Sequence, residues 1–351
     1  MSKLFLIVFF SIIVSQAGAH EDCSSLKIPR LEQSFQVLED YEYFSVSDHD
    51  IANAKCVKPV PTNSEMEAWL NKYAGEKKEN RKEPGIEFKD ESPELLKLFD
   101  KLTTSEAKVK AKVDSQCTKV LCAVKEIFGD EEGPQMLYLL GKYGLNGSAL
   151  SYEERSFWMT HELRPALQAL EDMPEGLLPL GDNKQFSRFK RGQSLKIYEE
   201  MESHGGCVRA NSNMTFFDCA FANKPREQTR TTYHELSHHV AEQLGLDESK
   251  KWLEISGWEE MPMAAGGASF NSNWEASNEA CLISKYGSTN PHEDFAESMV
   301  AYRYNPERLK GQCPEKYKFL KDRVYKGIEY TSVKACQGKK IPSGSLKRKS
   351  G

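Results

Sequence analysis

His234 and His238, four residues apart inside a stretch with helix character, limit the fold more than any other feature of this chain. Thr229 through Leu244 reads as a helix, and Gly245 stands where one would end. Tyr233, Leu236, Val240 and Leu244 recur at helical spacing and are expected to face a core. Residues four apart lie one turn above each other, so the two histidines share a neighbouring stripe. Two imidazoles at that separation can converge on one tetrahedral ion, so a second element has to bring a further ligand. Glu235 follows the first histidine and points to the same cavity, where it can accept a proton from water activated there. His239 lies about 100° round the helix from His238 and reads as a support for a ligand or as solvent-facing.

The five-residue HExxH pattern also occurs in ordinary surface helices, so its context carries weight. Met214 to Ala222 alternates as a strand should, with Phe217, Cys219 and Phe221 on one side and Phe216, Asp218 and Ala220 on the other. An open metal site takes three protein ligands and leaves a fourth position for water. The extended form with a glycine and a third histidine is absent, because Ala241 and Leu244 occupy those positions. A glutamate from a second helix is the natural candidate, and the best stretch is Asn290-Pro291-His292-Glu293-Asp294-Phe295-Ala296-Glu297. Glu293 and Glu297 are one turn apart and can both face the histidine helix. The same stretch has the layout of a capped helix start, with Asn290 as cap, Pro291 first and Glu293 third. On spacing alone both readings stand, and His292, Asp294 and Glu297 are further ligand candidates.

At these residues the chain resembles the catalytic domain of the anthrax lethal factor-like family of glutamate zincins. The likeness covers roughly residues 210–330. It rests on His234-Glu235-Leu236-Ser237-His238 and on Lys285-Tyr286-Gly287-Ser288-Thr289-Asn290 running into Glu293-Asp294-Phe295-Ala296-Glu297. Asn305 to Lys310 and Tyr317 to Leu320 are similar to the family's closing segment. The resemblance implies an α+β, zincin-like catalytic domain, a small sheet with an active-site helix and a glutamate helix; the residues before it read, from their own pattern, as a mostly helical N-terminal region. It implies one Zn2+ held by His234, His238 and Glu293, with Glu235 as general base. Tyr286 would donate a hydrogen bond to the oxyanion, whereas on its own it reads as a packed core tyrosine. Glu297 would orient a histidine ligand. The expected activity is zinc-dependent hydrolysis of a peptide or protein substrate. The alternative is a non-catalytic zinc- or peptide-binding protein that keeps the metallopeptidase fold. A purely structural zinc domain is disfavoured by the three-ligand set. The stretch from His238 to Tyr286 is longer than in the toxin and carries Trp252, Trp258, Trp274 and Gly266-Gly267, so substrate contacts are not carried over. The strand at 214–222 would accept an extended peptide if it formed a sheet edge.

The remaining sequence sets compartment and boundaries. Lys3, the apolar run Leu4 to Val14 and Ala17-Gly18-Ala19 read as an export signal, residues 1–19. Beyond it, 20–91 reads as an N-terminal segment, with Ser64 and Glu67 as a capping box and a charged linker from Glu76 to Glu91. That segment is a candidate pro-segment. Residues 92–184 read as helical, with helices around 110–128, 134–143 and 151–171 broken by Gly129, Gly133 and Gly144. Residues 185–337 hold the catalytic domain and 338–351 a disordered tail. A net charge of −5 and pI near 6.0 show no global preference for nucleic acid, and none is expected as a partner; nor is a membrane once the signal is removed. All nine cysteines follow the signal and suit a secreted or periplasmic protein. Sequence neighbours suggest Cys23–Cys56, Cys117–Cys122, Cys207–Cys219 and Cys313–Cys336, leaving Cys281 free.

Overall fold

The computed structural model describes residues 43–83, 85–103, 116–143, 159–178, 186–188, 208–210, 214–216, 225–261, 274–277 and 280–341. The export signal, Cys23, Cys207, Cys219 and Gly266-Gly267 lie outside them. From Phe44 onward the chain forms one compact unit, with a core that runs from Phe44 through Ile341.

Helix α1 (Asp48–Asn53) is followed by α2 (Asn63–Tyr73). The capping box of α2 is Thr62 and Glu65, not Ser64 and Glu67: the Thr62 N–H donates to Glu65 Oε2 at 2.7 Å, and the Glu65 N–H donates to Thr62 Oγ1 at 3.3 Å. This earlier start carries Met66 and Leu70 into the core, where both are fully buried. The stretch expected as a charged linker is a hairpin instead. Strands β1 (Glu79–Glu83) and β2 (Ile86–Glu91) pair antiparallel. Its charged residues disguise a period of two, because Ile86 and Phe88 point inward while Glu87 and Lys89 face out.

Four helices continue the layer: α3 (Pro93–Thr103), α4 (Val120–Phe128), α5 (Glu132–Tyr143) and α6 (Thr160–Asp172). Buried Glu91 joins hairpin to helix by accepting the Val120 N–H at 2.6 Å. Gly129 ends α4 as expected, but Gly133 lies inside α5. A Cβ on Gly133 would come within 2.5 Å of the Val124 carbonyl, so this glycine is present for close helix–helix approach, not as a break.

Short strands β3 (Phe186–Arg188), β4 (Val208–Ala210) and β5 (Met214–Phe216) form a sheet in the order β3-β5-β4. Strand β5 is parallel to β3 and antiparallel to β4. It is therefore the central strand, and the peptide-accepting edge considered for it is already paired. The rest of the expected strand, 217–222, lies outside the described residues.

The long α7 (Pro225–Leu244) follows, then α8 (Lys250–Ser256), the antiparallel pair β6 (Trp258–Glu260) and β7 (Trp274–Ala276), and α9 (Pro291–Tyr304). The chain closes with α10 (Pro306–Gln312), α11 (Pro314–Phe319), a π turn at Leu320–Val324 and α12 (Val333–Cys336). Helix α7 lies between α6 and α9. The result is a mixed α and β fold, mostly helical. Residues 338–340 of the expected disordered tail are exposed, but Ile341 is buried in the core. Among the described residues no helix is long and apolar enough to cross a membrane.

Among the described residues three disulfides are formed. Cys117–Cys122 matches its expected pairing. Cys56 bonds Cys336, not Cys23, and Cys281 bonds Cys313, so Cys281 is not a free thiol. Folding back, not proximity in sequence, brings these partners within disulfide reach, with Cα separations of 6.6 and 5.7 Å. Beside the first bridge, fully buried Arg303 on α9 donates to Asp172 Oδ1 of α6 at 2.7 Å and to the Lys55 carbonyl at 2.9 Å. Tyr304 donates to Asp172 Oδ2 at 3.0 Å. A charge buried this way is retained when it is paired and hydrogen-bonded, and here these bonds tie two distant segments to the end of α9.

Candidate metal centre

The two histidines arrive on α7 because that helix is anchored on both sides. Tyr233, Leu236 and Val240 are buried, as their spacing predicts. Thr229 Oγ1 donates to the Pro165 carbonyl of α6 at 3.2 Å, and Tyr233 shares a 2.9 Å hydroxyl contact with Tyr325. His239 is buried, which removes the solvent-facing reading.

Opposite them, Asn290 caps α9: its Oδ1 accepts the N–H groups of His292 and Glu293, each at 3.0 Å. The cap and ligand readings of this stretch are thus compatible. The backbone of Glu293 is satisfied by Asn290, while its carboxylate turns to the histidines. His234 Nε2 lies 3.0 Å and His238 Nε2 lies 3.2 Å from Glu293 Oε2, and the two ring nitrogens are 3.1 Å apart. Ligands at about 2.0–2.1 Å around a tetrahedral ion stand about 3.3 Å from one another, so this triangle is close to the size a metal needs. His234, His238 and Glu293 form a group that could hold a metal ion.

Glu297, one turn further along α9, accepts from His234 Nδ1 at 2.8 Å. Both carboxylates act on this ring. Burial opposes its charge, yet the hydrogen bonds to Glu293 and Glu297 raise His234 to about 10. Although burial penalises its charge, Glu293 is held well below the usual carboxylate range by both histidines. Glu297 is lowered in the same way, its burial overcome by His234 and Ser284. Glu235 moves in the other direction. Burial raises its carboxyl, and the charges of Glu293 and Glu297 add to that, against the pull of both histidines.

Compared with known proteins, the chain matches no family model, no curated protein and no solved structure. The site therefore has to be read from its own residues.

Tyr286 stands at the mouth, 58% exposed, so it is not the packed core tyrosine its sequence position alone suggested. Its ring centroid is 5.6 Å from that of His234. Partial burial and the carboxylates of Glu293 and Glu235 push its phenol well above the ordinary tyrosine value. The loop that carries it is fixed by short local bonds: the Gly287 N–H donates to Ser284 Oγ at 2.9 Å, and the Thr289 N–H to the Tyr286 carbonyl at 3.2 Å. Gly287 lies directly against Glu297. A Cβ there would meet Ser284 Oγ at 3.3 Å and Glu297 Cβ at 3.4 Å. Cys281–Cys313 anchors the start of this loop to the end of α10.

Sequence reasoning missed a contact that joins α9 to α11. Asp294 and Lys316 form a fully buried ion pair, with Nζ 2.5 Å from Oδ1 and 2.6 Å from Oδ2. Trp258 donates to Asp294 at 3.0 Å, and the Lys316 ammonium sits 5.2 Å above the Trp252 ring. Trp252 and Trp258, from the long stretch between His238 and Tyr286, are buried. His292 adds an outer clamp, reaching Asp247 at 2.7 Å and Glu248 at 3.3 Å.

Proposed function

We propose that this chain is a zinc-dependent endopeptidase, exported to an oxidising compartment. The observation that carries the reading is the triangle of His234 Nε2, His238 Nε2 and Glu293 Oε2, no side longer than 3.2 Å. Two imidazoles and one carboxylate suit zinc, and a three-ligand set leaves a position open for chemistry. The likeness of the same residues to anthrax lethal factor-like zincins points to the same activity and to a zincin-type fold. Three disulfides suit secretion or a periplasmic location.

When bound, zinc would supply Lewis acidity, acidifying water and polarising a substrate carbonyl. The protein's own groups do the rest. Glu235, raised by burial, accepts a proton from the attacking water and returns it to the leaving amine. Tyr286, raised and so protonated at neutral pH, donates a hydrogen bond to the carbonyl oxygen as it gains charge. Glu297 keeps the His234 ring turned toward Glu293 and His238.

Glu235→Gln keeps the shape of the site and removes the base. The purified variant should retain one zinc per chain and lose peptide hydrolysis by a hundredfold or more, on the order of what a general base contributes. A variant that cleaves a peptide library as fast as the parent protein overturns the mechanism. A parent protein that binds zinc and cleaves nothing in the library leaves a zinc-binding protein without turnover.

A further inference from the structure

On another side of α7 lies an open groove of about 640 Å³ that the proposed chemistry does not use. Its floor is apolar, built from Ile51, Val57, Val60 and Pro165. Val57 is 39% exposed, a large aliphatic side chain left facing water. Arg164 of α6 and Arg226 of α7 stand on its rim with His161. Neither arginine has an ion-pair partner among the described residues.

The one acidic residue among the described residues of the lining, Asp172, does not balance them. Its Oδ1 accepts from Arg303 at 2.7 Å and from the Lys58 N–H at 3.2 Å, and its Oδ2 accepts from Tyr304 at 3.0 Å. Among the described residues the groove therefore presents two uncompensated guanidiniums beside an apolar lining, in a protein whose net charge is −5. Guanidinium pairs carboxylates through two parallel hydrogen bonds, and the floor accommodates aliphatic side chains between them. Two cations on a short groove are too few for a nucleic-acid track, which needs a run of phosphate contacts. The volume lies within the range of specific ligand sites.

We propose that this groove docks an acidic peptide segment of a partner protein, with carboxylates on Arg164 and Arg226 and an aliphatic side chain on the floor between them. Arg226 precedes His234 by eight residues, which is about 12 Å along the helix and about 80° around it. A peptide held here leaves the His234–His238 face open, so the groove acts as a docking site apart from the zinc triangle. The inference does not depend on the metal reading.

The test uses the full chain carrying Glu235→Gln, so that no probe is cut, and follows fluorescence anisotropy of a labelled hexapeptide alternating glutamate and leucine. Saturable binding is expected, falling about tenfold or more in the Arg164→Glu/Arg226→Glu variant and falling with added salt. Zinc affinity of that variant should be unchanged, which shows that the fold and the metal site survive. Four results overturn the proposal: no saturation up to about 1 mM peptide, undiminished binding by the double variant, equal binding of the lysine–leucine counterpart, or a dimer in sedimentation that the double variant dissociates. The last would assign the groove to a second copy of this chain.

Discussion

Glu297 holds His234 by its Nδ1 at 2.8 Å, and this leaves Nε2 as the nitrogen that meets Glu293 at 3.0 Å. The carboxylate fixes the ring orientation before any ion arrives, and keeps the remaining proton on Nδ1 once the Nε2 proton leaves. Losing such a support weakens metal sites by about 10–100-fold. Glu297→Ala should reduce zinc affinity by that factor in competition with a chelator of known strength. Glu297→Gln, which keeps an acceptor oxygen, should lose less.

The proton on His234 would compete with the proposed zinc. The ring is raised to about 10, so at neutral pH it is protonated until zinc displaces that proton. Calorimetric titrations in buffers of different ionisation enthalpy should show about one proton released per zinc near pH 7. Apparent affinity should climb with pH toward 10 and then level. The raised value also stabilises the protein stripped of metal. That contribution is complete below the unfolded value of about 6.5 and is lost as pH rises through about 10. Denaturation of chelator-treated protein at several pH values reads this directly.

Lys316→Met should be among the most damaging substitutions outside the metal triangle. It leaves Asp294 fully buried without its cation, a change that costs about 3–5 kcal/mol. Adding Asp294→Asn should recover part of the loss, because asparagine still accepts from Trp258 and carries no charge. Urea unfolding of both single variants and the pair measures the coupling. Additive effects would show that the two side chains do not act together.

Gly287→Ala tests the contact between the tyrosine loop and α9. The new methyl would press on Ser284 and Glu297 at 3.3 and 3.4 Å. We expect a small change in stability, about 1 kcal/mol, and a loss of hydrolysis of about tenfold as Tyr286 is displaced. Zinc content measured on the same samples separates a shifted tyrosine from a lost metal.

Much of the site was legible because local periodicity reports it. The spacing of His234 and His238, the core stripe of Tyr233, Leu236 and Val240, and the pairing of Glu293 with Glu297 all follow from 3.6 residues per turn. The Asn290 cap was legible too, but it looked like a rival to the ligand reading. The structure resolves the conflict, since one residue's backbone takes the cap and its side chain faces the histidines. What escaped notice depends on long-range closure. Nothing local pairs Asp294, read as a spare ligand candidate, with Lys316 until α11 folds against α9. The hairpin at 79–91 was masked by outward charges whose alternation with Ile86 and Phe88 is short. Cys56 and Cys336 are 280 residues apart, and no local rule pairs them.

That last bridge closes residues 56–336 into a ring. A single peptide-bond cut between Cys56 and Cys336 opens the ring but frees nothing, since both pieces stay joined through sulfur. One cut can release residues only from outside the ring. On the amino-terminal side the core already begins at Phe44, whose N–H donates to the Ile283 carbonyl three residues before Tyr286. A leader shed by one cleavage without disturbing the core therefore ends at or before residue 43, far short of the segment to residue 91.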